Sequence, residues 1–385
     1  MIGLIKTVLA LTHRTIPPIA HLRTPNPAIR LDGSVFELPS TARPWASVDG
    51  VRRAGVSAFG IGGTNAHVVL EQAPPTRPRP RRHVPQLLLV SAKTAAVAQD
   101  SLDRVTAFAA ETAPGELADL AYTLRTGRAE LQWRAALLTL AHGEATGVRR
   151  VDEAARARGV ALHLTGAGEL TGNRPNYDAD PVYRRTVDEG VALLRGHHLG
   201  DGVRERCDRL LACVGLTRSL ISRGVTPRAL AGSGVGVLAG AVVAAVMSLA
   251  YALALLRGAD APDVRLNPAE LPLHVDGRPD DHAYWRAQAA RPAASVPLPD
   301  EPDRVLWVEV GTSVTPHLGA DQPPLPADRH ARVLATVGAL WQSGLTDGWD
   351  PVHDTGRRRL PAPTYPFAAT RHYLDAPGAN PNRER

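Results

Sequence analysis

The sequence predicts an α/β protein of several domains, and three observations carry that expectation. The chain has 385 residues, 44% of them apolar, which is enough for two or three packed cores. Two β-rich runs flank the turn Gly60-Ile61-Gly62-Gly63, as in a hairpin. Residues 229–256 carry no charge between Arg228 and Arg257, as expected of elements buried in a sheet that is covered on both faces.

In chain order, residues 1–11 are apolar but lack a basic leading region and a small-residue cleavage site, so they read as an amphipathic helix rather than a secretion signal. Residues 51–73 form the hairpin, whose turn needs glycine for a positive φ and a close backbone approach. Residues 74–85 are rich in Pro and Arg and read as an extended linker. A strand over 87–90 and a helix over 95–110 follow. Within 229–256 the expected order is a buried strand, a tight glycine turn and a buried helix. The same run is long enough to span a bilayer, which takes about 20 apolar residues. Its crowded glycines, its alanine content and the lack of a second span favour burial, and membrane association through 229–256 stands as the alternative.

Composition narrows the function classes. The net charge of +6 and pI near 9.7 come almost wholly from arginine, since Lys6 and Lys93 are the only lysines. Nucleic-acid binding calls for basic residues interleaved with aromatics, and aromatics make up 4% of the chain. The arginine runs at 77–82 and 357–359 read as solvated linker. Cys207 and Cys213 show no metal-ligand spacing and no secretory context, which implies a reduced, cytoplasmic protein without a metal site. The pattern Gly234-x-Gly236-x-x-Ala239 matches a dinucleotide fingerprint but lacks an acidic ribose partner after a following strand.

The run Ser57-Ala58-Phe59-Gly60-Ile61-Gly62-Gly63-Thr64-Asn65-Ala66-His67 closely resembles the terminal strand pair of ketosynthases in modular type I polyketide synthases. Asp119-Leu120-Ala121-Tyr122-Thr123-Leu124-Arg125 is similar to their linker domain. Val308-Glu309-Val310-Gly311 and Thr364-Tyr365-Pro366-Phe367 are similar to the closing segments of their acyltransferase domain. The resemblance implies the end of a thiolase-like ketosynthase over 1–73 and a small α/β linker domain over 74–150. It further implies an α/β-hydrolase-like acyltransferase core over 151–345 and a tail over 346–385. Family substrates would be a malonyl-type acyl-coenzyme A and a phosphopantetheinyl carrier protein, with no bound cofactor; partners would be other synthase subunits.

Ketosynthase chemistry needs a cysteine to hold the acyl chain and two histidines to assist decarboxylation, and none of these family positions falls within the sequence. The loop Gly60, Ile61, Gly62, Gly63, Thr64, Asn65 borders the family's active site, with Ile61 at the gating position; His67 reads as a structural strand residue. Acyltransferases of the family place a serine on a G-x-S-x-G elbow, activated by histidine. Here the elbow reads Gly232-Ser233-Gly234-Val235-Gly236, so Gly234 holds the nucleophile position and Ser233 stands one residue early. Ala167, within Gly166-Ala167-Gly168, replaces the family's oxyanion-loop glutamine, and Val237 replaces its glutamate.

From Gly258 the chain passes through a short bridge to His274, where the family inserts a ferredoxin-like subdomain bearing the catalytic histidine. His274 and His282 lie in loop-like sequence and have no serine to activate. Arg257 reads either as the arginine that pairs with a malonyl carboxylate, shifted by two positions, or as a helix-end arginine facing the C-terminal dipole. These residues imply a truncated, catalytically inactive synthase component. The alternatives are a docking or scaffold protein, a residual acyltransferase and the membrane-associated protein.

Overall fold

The computed structural model describes residues 1–31, 33–74, 84–139, 144–151, 153–232, 234–258, 264–275, 277, 280–291, 305–317 and 325–367. The chain divides into two units, Met1–Pro80 and Arg81–Arg385.

The first unit contains α1 (Ile2–His13), the short antiparallel pair β1 (Thr15–Ile16) and β2 (Arg43–Pro44), and the expected hairpin of β3 (Arg53–Phe59) and β4 (Asn65–Glu71). The hairpin closes at Phe59 opposite Asn65. Its turn is held by the Gly60 N–H donating to the Thr64 carbonyl at 2.8 Å and by Gly63, at φ 89°, donating to the Gly60 carbonyl at 2.9 Å. A two-stranded hairpin needs an apolar face packed on something to be stable. Leu11 is the sole fully buried apolar side chain among the described residues of this unit, whereas Ile2, Ile5, Val8, Leu9, Phe59, Ile61 and Val69 are exposed. The unit has secondary structure without a core.

The second unit opens with an antiparallel sheet of β5 (Leu87–Ala92), β6 (Trp133–Leu138), β7 (Glu144–Ala145) and β8 (Arg149–Arg150). Against it lie α2 (Ala95–Glu111), capped by the Thr94 side chain, and α3 (Leu117–Thr126). Leu88, Val90, Leu102, Val105, Leu120 and Leu124 form the core between these layers.

A five-stranded sheet follows in the order β11-β10-β9-β12-β13, parallel except for β13. Its elements are α4 (Glu153–Arg158), β9 (Val160–Leu164), α5 (Arg174–Ala179), α6 (Pro181–Leu194), α7 (Asp201–Ile221), β10 (Pro227–Gly232) and α8 (Val235–Val243). Then come α9 (Leu249–Leu256), β11 (Leu273–His274), α10 (His282–Ala290), β12 (Leu306–Val310), β13 (Val314–His317) and α11 (Arg329–Gln342). Every residue of β9 is buried, as in a central strand covered on both faces. The two sheets share one core, because Leu87, Leu89, Ala136 and Leu138 join the cluster of α11, and a methyl group on Gly338 of α11 would meet Leu87 at 3.1 Å.

The uncharged run departs from expectation in holding two helices rather than one. The chain breaks after Val243, Ala245 takes φ 59°, and Ser248 starts α9 by accepting from the Tyr251 N–H at 3.1 Å. Folded as β10, α8 and α9, the run makes no long helix, and no helix among the described residues is long and apolar enough to cross a membrane.

Buried polar groups pin the helical layer. Asp180 caps α6 and pairs with Arg223 at 2.7 Å, with both side chains almost fully enclosed, and Ser219 donates to the same carboxylate. Burial pushes the Asp180 carboxyl up, but the Arg223 guanidinium and the hydrogen bonds from Ser219 and Arg223 outweigh it and hold the group well below the usual carboxylate range.

Within the 357–359 arginine run Arg357 and Arg359 are exposed, as expected, whereas Arg358 is docked. Arg358 pairs with Glu116 at 2.5 Å and Asp119 at 3.2 Å, and the Leu360 N–H donates to Thr123 Oγ1 at 2.8 Å. The reason is local: α3 and the turn before it present two carboxylates where the tail passes. The 77–82 run lies outside the described residues.

Candidate active site at the strand-to-helix elbow

β9 and β10 end side by side, with Gly232 paired to Leu164. The chain then turns sharply into α8 through Gly234, which is buried at φ 54° and ψ −124°. This is the strand-to-helix geometry that a nucleophile elbow uses, in a backbone region that L-residues rarely enter. The flanking glycines are required by approach of the backbone: an added Cβ would lie 2.3 Å from the Leu164 carbonyl oxygen at Gly232 and 1.8 Å from it at Gly236. That packing explains the fingerprint-like glycines without a bound pyrophosphate. The position a nucleophile would take thus carries no side chain. Ser233 lies outside the described residues.

The loop after β9 runs directly beside the elbow, since a Cβ on Gly166 would meet Val235 at 3.3 Å. An oxyanion hole in such an elbow takes one N–H from the residue after the nucleophile and another from a neighbouring strand-to-helix loop. The loop here is turned inward. The Ala167 N–H donates to Thr165 Oγ1 at 3.2 Å, and the Ala167 carbonyl accepts from the Thr312 N–H at 2.8 Å. Arg209 of α7 donates to the carbonyls of Gly166 at 3.1 Å and Gly168 at 2.6 Å, and Thr312 Oγ1 donates to the Glu169 carbonyl at 2.7 Å. Ala167 therefore sits in a stapled loop whose own N–H is already engaged.

The candidate bases are dispersed. His274 lies exposed on β11 rather than in a loop, paired in register with Ala231 of β10. His282 opens α10, again not a loop, and its Nδ1 shares a hydrogen bond with the Tyr251 hydroxyl at 2.7 Å. The pairing of β11 directly onto β10 leaves only residues 257–272 between α9 and the next strand. Arg257 caps the C-terminus of α9, with Nε and Nη1 buried and without hydrogen-bond partners.

The ketosynthase-like loop is placed in the first unit, at the hairpin tip. Gly60 and Gly63 close the turn as described, Gly62 faces open space, Ile61 is fully exposed, and Thr64 and Asn65 lead into β4. His67 pairs across the hairpin, its Nδ1 sharing a hydrogen bond with Ser57 Oγ at 2.8 Å.

Four residues around the elbow escaped sequence reasoning: Thr165, Arg209, Thr312 and His163. Arg209 is one arginine among many in a helix, and only the fold brings it to the loop carbonyls. His163 lies one residue before Leu164 on β9, buried edge-on against Trp307 at 6.3 Å; burial lowers its basicity, partly offset by Glu309. The sole sequence signal for it is a histidine in a short apolar strand ahead of Gly166-Ala167-Gly168.

A family model described as the ketoacyl-synthetase C-terminal extension matches residues 25–138. The spectinabilin polyketide synthase system protein NorC of Streptomyces orinoci is 32% identical over 450 positions, covering 98% of this chain and 20% of the relative. Because 98% of 385 residues is about 377, some seventy of those positions have no counterpart here. The polyketide synthase GfsA of Streptomyces halstedii is 33% identical over 297 positions, covering 66% of this chain and 4% of the relative. The chain thus spans no more than a fifth of the length of these relatives. The acyl transferase domain of ZmaA superposes with a TM-score of 0.53 at 14% identity, covering 72% of this chain and 99% of that one, which is a likeness of fold. By its hairpin, its linker sheet and its matches along the chain, the chain belongs to the modular polyketide synthases, as a region running from the C-terminal end of a ketosynthase into a domain of acyltransferase-type fold.

Proposed function

We propose that this chain is a polyketide synthase component whose acyltransferase domain no longer transfers acyl groups. One observation carries the reading: Gly234 occupies the turn between β10 and α8 where a nucleophile must project, and it has no atom to acylate. Acyl transfer also needs a base within reach of the nucleophile and donors aimed at the developing oxyanion. His282 is committed to Tyr251, and the Ala167 N–H is committed to Thr165. The seventy or so positions that NorC has and this chain lacks fit the loss of a subdomain carrying the base. Parts of such a unit fail together, each costing orders of magnitude in rate.

The family's acyl-coenzyme A and carrier protein are therefore not turned over, and no cofactor enters the reading. A second reading, a docking component for other synthase subunits, draws on the exposed apolar side chains of the first unit.

The test is incubation of the full chain with radiolabelled malonyl-coenzyme A, followed by denaturing electrophoresis. No covalent label is expected. A stable adduct that disappears in Ser233→Ala would overturn the proposal and establish the early serine as a nucleophile.

A further inference from the structure

We propose that the chain pairs with a second copy of itself along the outer edge of β4, joining two hairpins into a four-stranded sheet about a two-fold axis at Val68. In the second unit the sheet edges are blunted: β13 carries Pro316, β7, β8 and β11 are two residues long, and β5 is buried at five of its six residues. β4 differs. It has seven residues, no Pro or Lys, and six of the seven are exposed. Register decides which of its groups face outward. The Gly60 and Gln72 N–H groups donate to the Thr64 and Arg52 carbonyls, so by alternation Ala66, Val68 and Leu70 bond inward to β3. The N–H and C=O groups of Asn65, His67, Val69 and Glu71 point away from β3 and have no main-chain partner among the described residues.

The polar side chains beside this edge are engaged within the hairpin, His67 on Ser57 at 2.8 Å and Glu71 on Arg53 at 2.7 Å. What the edge lacks is a strand. Antiparallel pairing with its own copy, centred on Val68, uses the full length of β4. On one face Ala66 meets Leu70 of the other copy and Val68 meets Val68, apolar against apolar. On the other face Asn65 meets Glu71 and His67 meets Val69, so no like charges are opposed. β3 is the poorer edge, because Gly55 has no side chain, Arg53 is charged, and α1 lies over it, where a Cβ on Gly3 would sit 3.9 Å from Val56. Val68 and Val69 of β4 are 43% and 70% exposed. The two-fold puts α1 and its mate on one face, above β3 strands that stand three strand spacings, about 14 Å, apart. Packed helices lie about 8–10 Å apart, so the exposed Ile5, Val8 and Leu9 of the two helices are the apolar surface available to close over Val68. At about 60–120 Å² per side chain, these three with Val68 and Val69 supply about 300–600 Å² per copy, against roughly 800 Å² in an interface of standard size. The dimer is accordingly a weak one.

The experiment is sedimentation equilibrium of the full chain from about 1 to about 100 μM, with disulfide trapping in parallel. A reversible monomer–dimer equilibrium is expected. Val68→Lys sets two ammonium groups opposite each other on the axis and is expected to weaken dimerisation by at least about tenfold. Val69→Pro removes an outward N–H without touching the hairpin's own bonds and is expected to do the same. Val68→Cys places two thiols on a non-hydrogen-bonded pair, with Cα atoms about 4.5 Å apart, inside the range of about 4.4–6.8 Å that a disulfide spans. The chain's own cysteines, Cys207 and Cys213, are both buried. With dioxygen as oxidant and copper–phenanthroline as catalyst, Val68→Cys is expected to cross-link into a covalent dimer, while Ser57→Cys on β3 stays monomeric. A chain that remains monomeric throughout this range overturns the proposal. So does a dimer of unchanged affinity in both Val68→Lys and Val69→Pro, cross-linking of Ser57→Cys in place of Val68→Cys, or growth beyond the dimer, which a closed two-fold forbids.

Discussion

Replacing Asp180 with asparagine isolates the charge at the centre of the helical layer. Asparagine serves as well as aspartate at a helix N-cap, so the bonds to the Val182 and Tyr183 N–H groups survive. What is lost is the counter-ion of Arg223, whose side chain is 3% exposed and lies 2.7 Å from the carboxylate. Stripping one partner from such a pair costs about 3–5 kcal/mol, because the remaining charge stays buried. Urea denaturation at pH 7 measures this directly. Replacing both partners, with Asp180→Leu and Arg223→Met together, is expected to recover most of the loss, since the cost arises from the orphaned charge and not from absence of the bridge.

The pH dependence has a definite sign. The folded-state pKa of Asp180 is depressed, so the unfolded chain binds the proton more readily. The stabilisation is therefore complete above the ordinary carboxylate pKa of about 4 and is lost as pH falls below it. Asp180→Asn is expected to abolish that part of the acid limb. A destabilisation under about 1 kcal/mol at pH 7, or a double replacement as unstable as the single one, would refute the reasoning.

Further outcomes follow from other sites. Gly236→Ala puts a Cβ 1.8 Å from the Leu164 carbonyl and is expected to cost more than about 3 kcal/mol in urea, whereas Gly202→Ala, in open space near the start of α7, is expected to be neutral or stabilising by up to about 1 kcal/mol; equal midpoints would contradict the elbow packing. His330 is enclosed in α11, where burial and then Arg223 lower its pKa to about 3. The unfolded chain takes up that proton near pH 6.5, so stability falls as pH drops from about 6.5 toward 3, and His330→Gln is expected to flatten this slope. Arg209→Met removes the donors to the Gly166 and Gly168 carbonyls and is expected to speed amide hydrogen exchange across 165–169 while lowering stability by about 1–3 kcal/mol. Residues 1–80 expressed alone are expected to bind a hydrophobic dye and show no cooperative melting, because Leu11 is their one buried apolar side chain among those described.

Local chemistry made much of this protein legible in its sequence. Alternating β-rich runs around Gly60–Gly63 specify a hairpin because turn geometry and strand pairing are short-range, and they formed as β3 and β4. The uncharged run announced burial for the same reason: a long stretch without charge has nowhere else to go. Its division into two helices was hidden, since the break at Ala245 depends on packing of α8 and α9 around the sheet. Absence of a side chain at Gly234 is a fact of sequence, but the φ of 54° that makes this position an elbow is a fact of the fold.

Only the tertiary structure decided what the arginines do. Composition treats Arg209, Arg223, Arg257 and Arg358 alike, as charges to be solvated. Folding places Arg209 on loop carbonyls, Arg223 on a buried aspartate and Arg358 on the carboxylates of Glu116 and Asp119, while Arg257 keeps two enclosed nitrogens without an acceptor. Long-range pairing of this kind leaves no periodicity and no spacing in the chain. It is set by which helix ends and strand ends meet, and the sequence determines that collectively rather than residue by residue.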